Sequence, residues 1–104
     1  MQYAVIYKVV DLKKNAEIRP RHVEFLKKAV SEGIPGARVV GGYKFPDYQE
    51  GDIHSVLVCE AESKEVVRDW FSQDPIVAEG SRTIEVREAE SVQDTAVGAA
   101  LKKN

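Results

Sequence analysis

Ala37-Arg38-Val39-Val40-Gly41-Gly42-Tyr43-Lys44, a turn over Phe45 to Asp52, then Ile53-His54-Ser55-Val56-Leu57-Val58-Cys59: the fold turns on this stretch. Both flanks are short and rich in β-branched or aromatic residues, and the segment between them holds Pro46, Asp47 and Gly51. That composition reads as two consecutive strands joined by a turn, with no helix between them. The glycine pair predicts a second strand that is loosened or bulged.

Working outward, the pattern alternates between a period of two and a period of 3.6 residues. Gln2 to Val10 is β-branched and aromatic, a first strand. Residues 20–32 carry Val23, Leu26, Ala29 and Val30 on one helical face with Phe25 beside them, and Gly33 stops the helix. Pro20 reads as the first helical residue, which puts His22 in the first turn. On the other side, Ser63 caps a helix running to about Ser72, with Val66, Val67, Trp70 and Phe71 on its apolar side. Asp74-Pro75 opens one short turn ending at Gly80, and residues 82–89 form a fourth strand around Ile84 and Val86. The order is β-α-β-β-α-β, an α+β chain of the ferredoxin-like kind. Residues 1–90 are expected to form this domain. Residues 91–104 are an extension: Ser91 and Asp94 form a weak capping box before a short helix, while Gly98 and the polar end favour a frayed tail.

Composition excludes several function classes. A length of 104 residues suits one domain, and 43% hydrophobic with 31% charged residues describes a soluble globular chain. The net charge of -2, with interspersed signs, offers no basic patch for nucleic acid or an anionic membrane. Cys59 is the single cysteine, which rules out an intrachain disulfide; it reads as a small buried hydrophobe on a strand. No basic segment followed by an apolar one opens the chain, and no apolar run reaches membrane-spanning length. A cytoplasmic protein is expected. His54 lacks Cys, His or acidic partners at ligand spacing, and Gly41-Gly42 has no helix behind it to hold phosphate. Neither a metal nor any cofactor is expected.

The strands also predict self-association. Tyr3, Val5, Tyr7 and Val9 alternate with Ala4, Ile6 and Val10, and Ile53, Leu57 and Cys59 alternate with Val56 and Val58. Both faces are apolar, and two helices cover only one of them. A second copy of the sheet is the expected cover, giving a homodimer.

Topology then addresses Arg19-Pro20-Arg21-His22 and Trp70-Phe71-Ser72-Gln73-Asp74-Pro75. With strands in the order 4-1-3-2, the first strand ends, and the second helix ends, at the same edge of the sheet. His22 and Asp74 are therefore expected at one end of the molecule, outside the apolar faces that build the core. A histidine oriented by an aspartate is a general acid–base pair suited to neutral pH. A helix N-terminus disfavours a charged imidazole and a carboxylate favours it, so the two influences oppose each other. Arg19 would face an anionic group of a substrate. The residues by themselves favour a plainer reading: a surface histidine, an aspartate that only caps a turn, and a solvated arginine.

Arg19-Pro20 with His22 after the first strand, Ser63 opening the second helix, Trp70 near its end, then Asp74-Pro75 and Gly80 resemble the YCII-related family over residues 2–89. That resemblance implies a dimeric α+β barrel and a His–Asp dyad, here His22 and Asp74. Arg19, Tyr43 and Ser63 are the expected substrate contacts. Most such proteins have no established reaction, and one branch eliminates chloride from a chlorinated hydroxyquinol. The chain departs from the family pattern at Gly41-Gly42-Tyr43, where Gly-Pro is usual, and at Ile76, where an aromatic is common. The implied function is cofactor-independent acid–base chemistry on a small organic molecule by elimination, isomerisation or hydrolysis. The alternative is a non-catalytic small-molecule-binding dimer.

Overall fold

The structure is a computed structural model that describes residues 1–102. Strand β1 (Gln2–Val9) leads into helix α1 (Leu12–Glu32), followed by β2 (Ala37–Lys44) and β3 (Ile53–Ala61). Helix α2 (Lys64–Phe71) and the single turn α3 (Pro75–Ala78) precede β4 (Arg82–Ala89). The strands form one antiparallel sheet in the order β2-β3-β1-β4. This is the ferredoxin-like α+β fold expected from the strand and helix order.

Alternation along β1 builds the core. Tyr3, Val5, Tyr7 and Val9 are buried beneath the helices, opposite Cys59 of β3 and Val86 of β4. Val67 and Phe71 of α2 and Ile76 of α3 close over them, while α1 adds Ile18 and Ala29. Burial alone pushes the Cys59 thiol up to about 11, which leaves it an unreactive core side chain.

The start of α1 differs from the sequence expectation. The helix begins at Leu12, where the Asp11 carboxylate accepts the backbone N–H of Lys14 at 3.0 Å, and Pro20 lies inside it. Proline does remove a helical hydrogen bond. Ala16 and Pro20 both sit on the exposed face, however, so the carbonyl without its donor meets water. The buried positions Asn15, Ile18, His22 and Ala29 carry one helical stripe straight through the proline. His22 thus stands mid-helix, without the N-terminal dipole expected for it. It is also buried, as is Asp74, so both belong to the packed interior.

Two bulges shape the sheet edge nearest α1. In β2 the register shifts between Val39 and Gly41, at the glycine pair, and a Cβ on Gly42 would lie 2.5 Å from the Val56 carbonyl oxygen. In β3 the register passes from Ser55, opposite Tyr7, to Ile53, opposite Lys8. His54 is the extra residue, so Ile53 moves to the open face with Lys8.

The open face is apolar along the sheet centre. Ala4 and Ile6 of β1 lie opposite Val58 and Val56 of β3, with Tyr43 of β2 beside Val56. Lys8 of β1 also lies on this face, and β4 presents Thr83, Glu85 and Arg87 there, so the apolar strip is confined to the centre. Beyond β4, a 3₁₀ turn (Val92–Asp94) capped by Ser91 leads to α4 (Ala96–Leu101), capped by Thr95. Gly98 sits where this turn passes closely beneath α4: a Cβ would lie 2.3 Å from the Val92 carbonyl oxygen. Val92, Val97 and Leu101 of this segment are exposed. No described helix is long and apolar enough to cross a membrane.

Candidate functional site

The site starts from one buried carboxylate. Asp74 is the N-cap of α3, and its Oδ1 accepts the backbone N–H of Ile76 at 3.1 Å. Its Oδ2 accepts the Tyr7 hydroxyl at 2.9 Å and lies 2.6 Å from His22 Nδ1. Asp74 is fully buried, and such a group is stable only when hydrogen bonds replace its hydration. Burial, then the nearby carboxylate, pushes the Tyr7 phenol well above its ordinary value, so it remains a donor. Its ring also meets the His22 ring edge-on at 5.3 Å.

Each element has a separate task here. β1 brings Tyr7 out of the sheet, α1 brings His22 across it, and the tight Asp74-Pro75 turn after α2 aims the carboxylate between them. An ion pair between Arg21 and Glu79 ties α1 to the residue following α3.

The outer edge of His22 meets Arg82, the first residue of β4. Arg82 Nη1 lies 3.3 Å from His22 Nε2, and Arg82 Nε donates to Asn15 Oδ1 at 2.6 Å. Asn15 Nδ2 in turn donates to the Tyr48 hydroxyl at 3.1 Å. A guanidinium only donates, so this network assigns the His22 tautomer: Nδ1–H points to Asp74 and the Nε2 lone pair faces Arg82. Burial pulls Arg82 below its ordinary value, but a guanidinium stays charged in a protein.

His22 and Arg82 floor a cleft of about 300 Å³ between α1 and the β2–β3 hairpin. His22, Arg82, His54 and Ser55 supply its polar side, and Val23, Leu26 and Leu57 its apolar wall. The β3 bulge explains why His54 and Ser55 both line it although they are adjacent, and His54 Nδ1 sits 3.0 Å from Ser55 Oγ. Gly42, Tyr43, Lys44 and Arg19 complete the lining, and none of the described lining residues is acidic.

Of the residues singled out in the sequence, the structure brings His22, Asp74, Arg19 and Tyr43 to this cleft, Asp74 from behind His22. Tyr43 is 79% exposed, and its register beside Val56 directs it to the open face, so it stands at the rim. Ser63 is not among the cleft residues. It caps α2, its hydroxyl accepting the Val66 N–H at 3.2 Å, and that backbone role accounts for it. Sequence reasoning missed Tyr7, Asn15, His54 and Arg82. Asn15 at a stripe position three residues before Ile18 was the available signal, once the helix is extended through Pro20.

The YCII-related domain matches residues 1–90. Among solved structures, 5-chloro-2-hydroxyhydroquinone dehydrochlorinase from Burkholderia phenoliruptrix AC1100, in complex with 2,5-dihydroxybenzoquinone, is similar at a TM-score of 0.59 and 19% identity. The alignment covers 86% of this chain and 94% of that one. A de novo designed protein with a ferredoxin fold aligns at a TM-score of 0.41 and 16% identity, covering 90% and 88%. No curated protein matches the chain in sequence.

His54 makes the site sensitive to acid. Burial first, then positive neighbours led by Arg82, lowers it from 6.5 to about 4. Folding therefore favours the neutral ring, and the stability this contributes is complete above pH 6.5 and lost as pH falls toward 4. Denaturant unfolding measured across that window is expected to show a steeper loss for the wild type than for His54→Gln. Parallel curves would contradict the assignment.

Proposed function

We propose, for a chain that belongs to the YCII-related domain family, that it is a cofactor-independent enzyme using His22 as general base and Asp74 as its orienting partner. The observation that carries this reading is the 2.6 Å contact from Nδ1 of His22, on the floor of the cleft, to a fully buried Asp74 behind it. Asp74 accepts a hydrogen bond from Nδ1–H, fixes the ring, and stabilises the imidazolium that forms when Nε2 takes a proton. Tyr7 and the Ile76 N–H hold the carboxylate in place while this happens.

Size and lining support one substrate class. A cleft of about 300 Å³ with an apolar wall and cationic groups takes a small ring or chain bearing oxygen. The dehydrochlorinase of similar fold, complexed with 2,5-dihydroxybenzoquinone, makes hydroxylated rings the first compounds to test. Removal of a proton from carbon followed by loss of a leaving group, or by reprotonation elsewhere, covers elimination and isomerisation with the same pair. The second reading, a binding module, draws on the Arg82 contact to Nε2, which occupies the lone pair a base needs.

A panel of small hydroxylated aromatics and lactones, beginning with 5-chloro-2-hydroxyhydroquinone, tests the choice. Turnover of at least one is expected, with His22→Ala and Asp74→Asn each lowering kcat by about 100-fold or more. Because the two act as one unit, the double variant is expected to be no worse than the worse single variant. Additive losses would contradict the dyad, and saturable binding with no turnover by the wild type would favour the binding module. Asp74→Asn is also expected to cost about 1–3 kcal/mol of stability, since a buried acceptor of three hydrogen bonds is altered.

The apolar Ala4, Ile6, Val56 and Val58 face supports a homodimer joined sheet to sheet. Sedimentation at micromolar concentration is expected to give twice the chain mass of 11.6 kDa. A species of single-chain mass would contradict it, and Ile6→Glu is expected to shift the wild-type dimer toward that mass.

A further inference from the structure

The cleft holds a charge that the His–Asp pair does not use. Arg82 is 1% exposed, and a buried guanidinium is ordinarily matched by a carboxylate or phosphate across its two-pronged edge. Here the Nε side is anchored by the neutral Asn15, Nη1 rests at 3.3 Å on a ring nitrogen, and Nη2 has no partner among the described residues. Asp74 does not fill that role, because its oxygens are committed to His22, Tyr7 and the Ile76 N–H. The Tyr7 ring, 5.7 Å from the guanidinium carbon, adds a cation–π contact that steadies the charge without neutralising it. Arg19 and Lys44 add positive charge to the cleft, and its described lining residues include no carboxylate. An anion is the missing partner of this arrangement.

We infer that Arg82 is the substrate-recognition residue of the cleft, taking an anionic oxygen of a small organic acid, phenolate or enolate. The contact also draws Nη1 off His22 Nε2. This inference rests on His22 being the base and adds a condition to that role: the Nε2 lone pair is released when an anionic substrate is in place. A substrate C–H bond then breaks and its proton joins Nε2. The electron pair left behind moves onto a carbonyl oxygen of the substrate or expels the departing group, while the anionic oxygen stays on Arg82 and the proton on Nδ1 stays hydrogen-bonded to Asp74. Nε2 finally returns the proton to the product or to the departing group. A neutral molecule of the same shape leaves Arg82 on His22 and gains neither recognition nor a free base. Arg19, exposed at the mouth, contributes attraction rather than recognition.

Sodium benzoate and benzamide, equal in shape and different in charge, are the probes. NMR titration of the wild type is expected to show saturable benzoate binding that moves the Arg82 Nε–H and His22 Nε2 resonances, with benzamide moving neither. Arg82→Met is expected to weaken benzoate by about tenfold or more, and Arg82→Lys, which keeps charge without the fork, by less. His22→Ala is expected to bind benzoate at least as tightly as the wild type, because the guanidinium is then released from the ring. Absence of benzoate binding, equal binding of both probes, or benzoate affinity unchanged in Arg82→Met would overturn the inference. If Arg82→Met does not fold, the wild-type resonances decide it. Turnover that survives in His22→Ala would remove the base and leave the benzoate result standing, so the two failures are distinct.

Discussion

The structure depends on burying the Asp74 carboxylate. A charged oxygen pair without water is tolerated only where donors surround it. Here they come from three places far apart in sequence: a strand hydroxyl, a helix imidazole and a turn amide. Satisfying Asp74 therefore fixes how α1, β1 and α3 meet. The same requirement orients His22, because an Nδ1–H aimed at the carboxylate leaves Nε2 directed the other way, toward Arg82 and the cleft. Packing and chemistry share one constraint.

Charge is distributed unevenly around that constraint. Asp74 lies behind the imidazole with three donors, whereas Arg82 lies in front of it with one free edge. His54, kept neutral by its burial and its cationic neighbours, adds a polar but uncharged wall. The result is a cleft whose reachable side is positive although the chain as a whole is slightly negative. A net charge of -2 thus says little about the ligand, since what matters is which charges the fold turns inward.

Much of the fold was legible in the sequence because alternation and turn residues are local signals. The bounds read for the second and fourth strands match those observed, and strand order alone brought His22 and Asp74 to one end of the sheet. The first half of α1 was not legible, because proline is common at helix starts and the residue before it disfavours helix. Only tertiary burial of Asn15 and Ile18 shows why the helix runs on. His54 was hidden by a bulge, which breaks the alternation used to assign faces. Arg82 was hidden by its type: an arginine opening a strand reads as solvated until the neighbours that bury it are known. Nearness in sequence points to Arg19, three residues before His22, as the anion contact, and gives no hint of the guanidinium that packs on His22 from sixty positions away.

The central claim is that Asp74 holds His22 as the Nδ1–H tautomer with the Nε2 lone pair turned toward the cleft. Nitrogen-15 NMR of the imidazole in the ligand-free protein near neutral pH reads this directly. The account predicts a proton on Nδ1, protected from exchange with water, and a bare Nε2. A proton on Nε2, or rapid averaging between the two nitrogens, would contradict it.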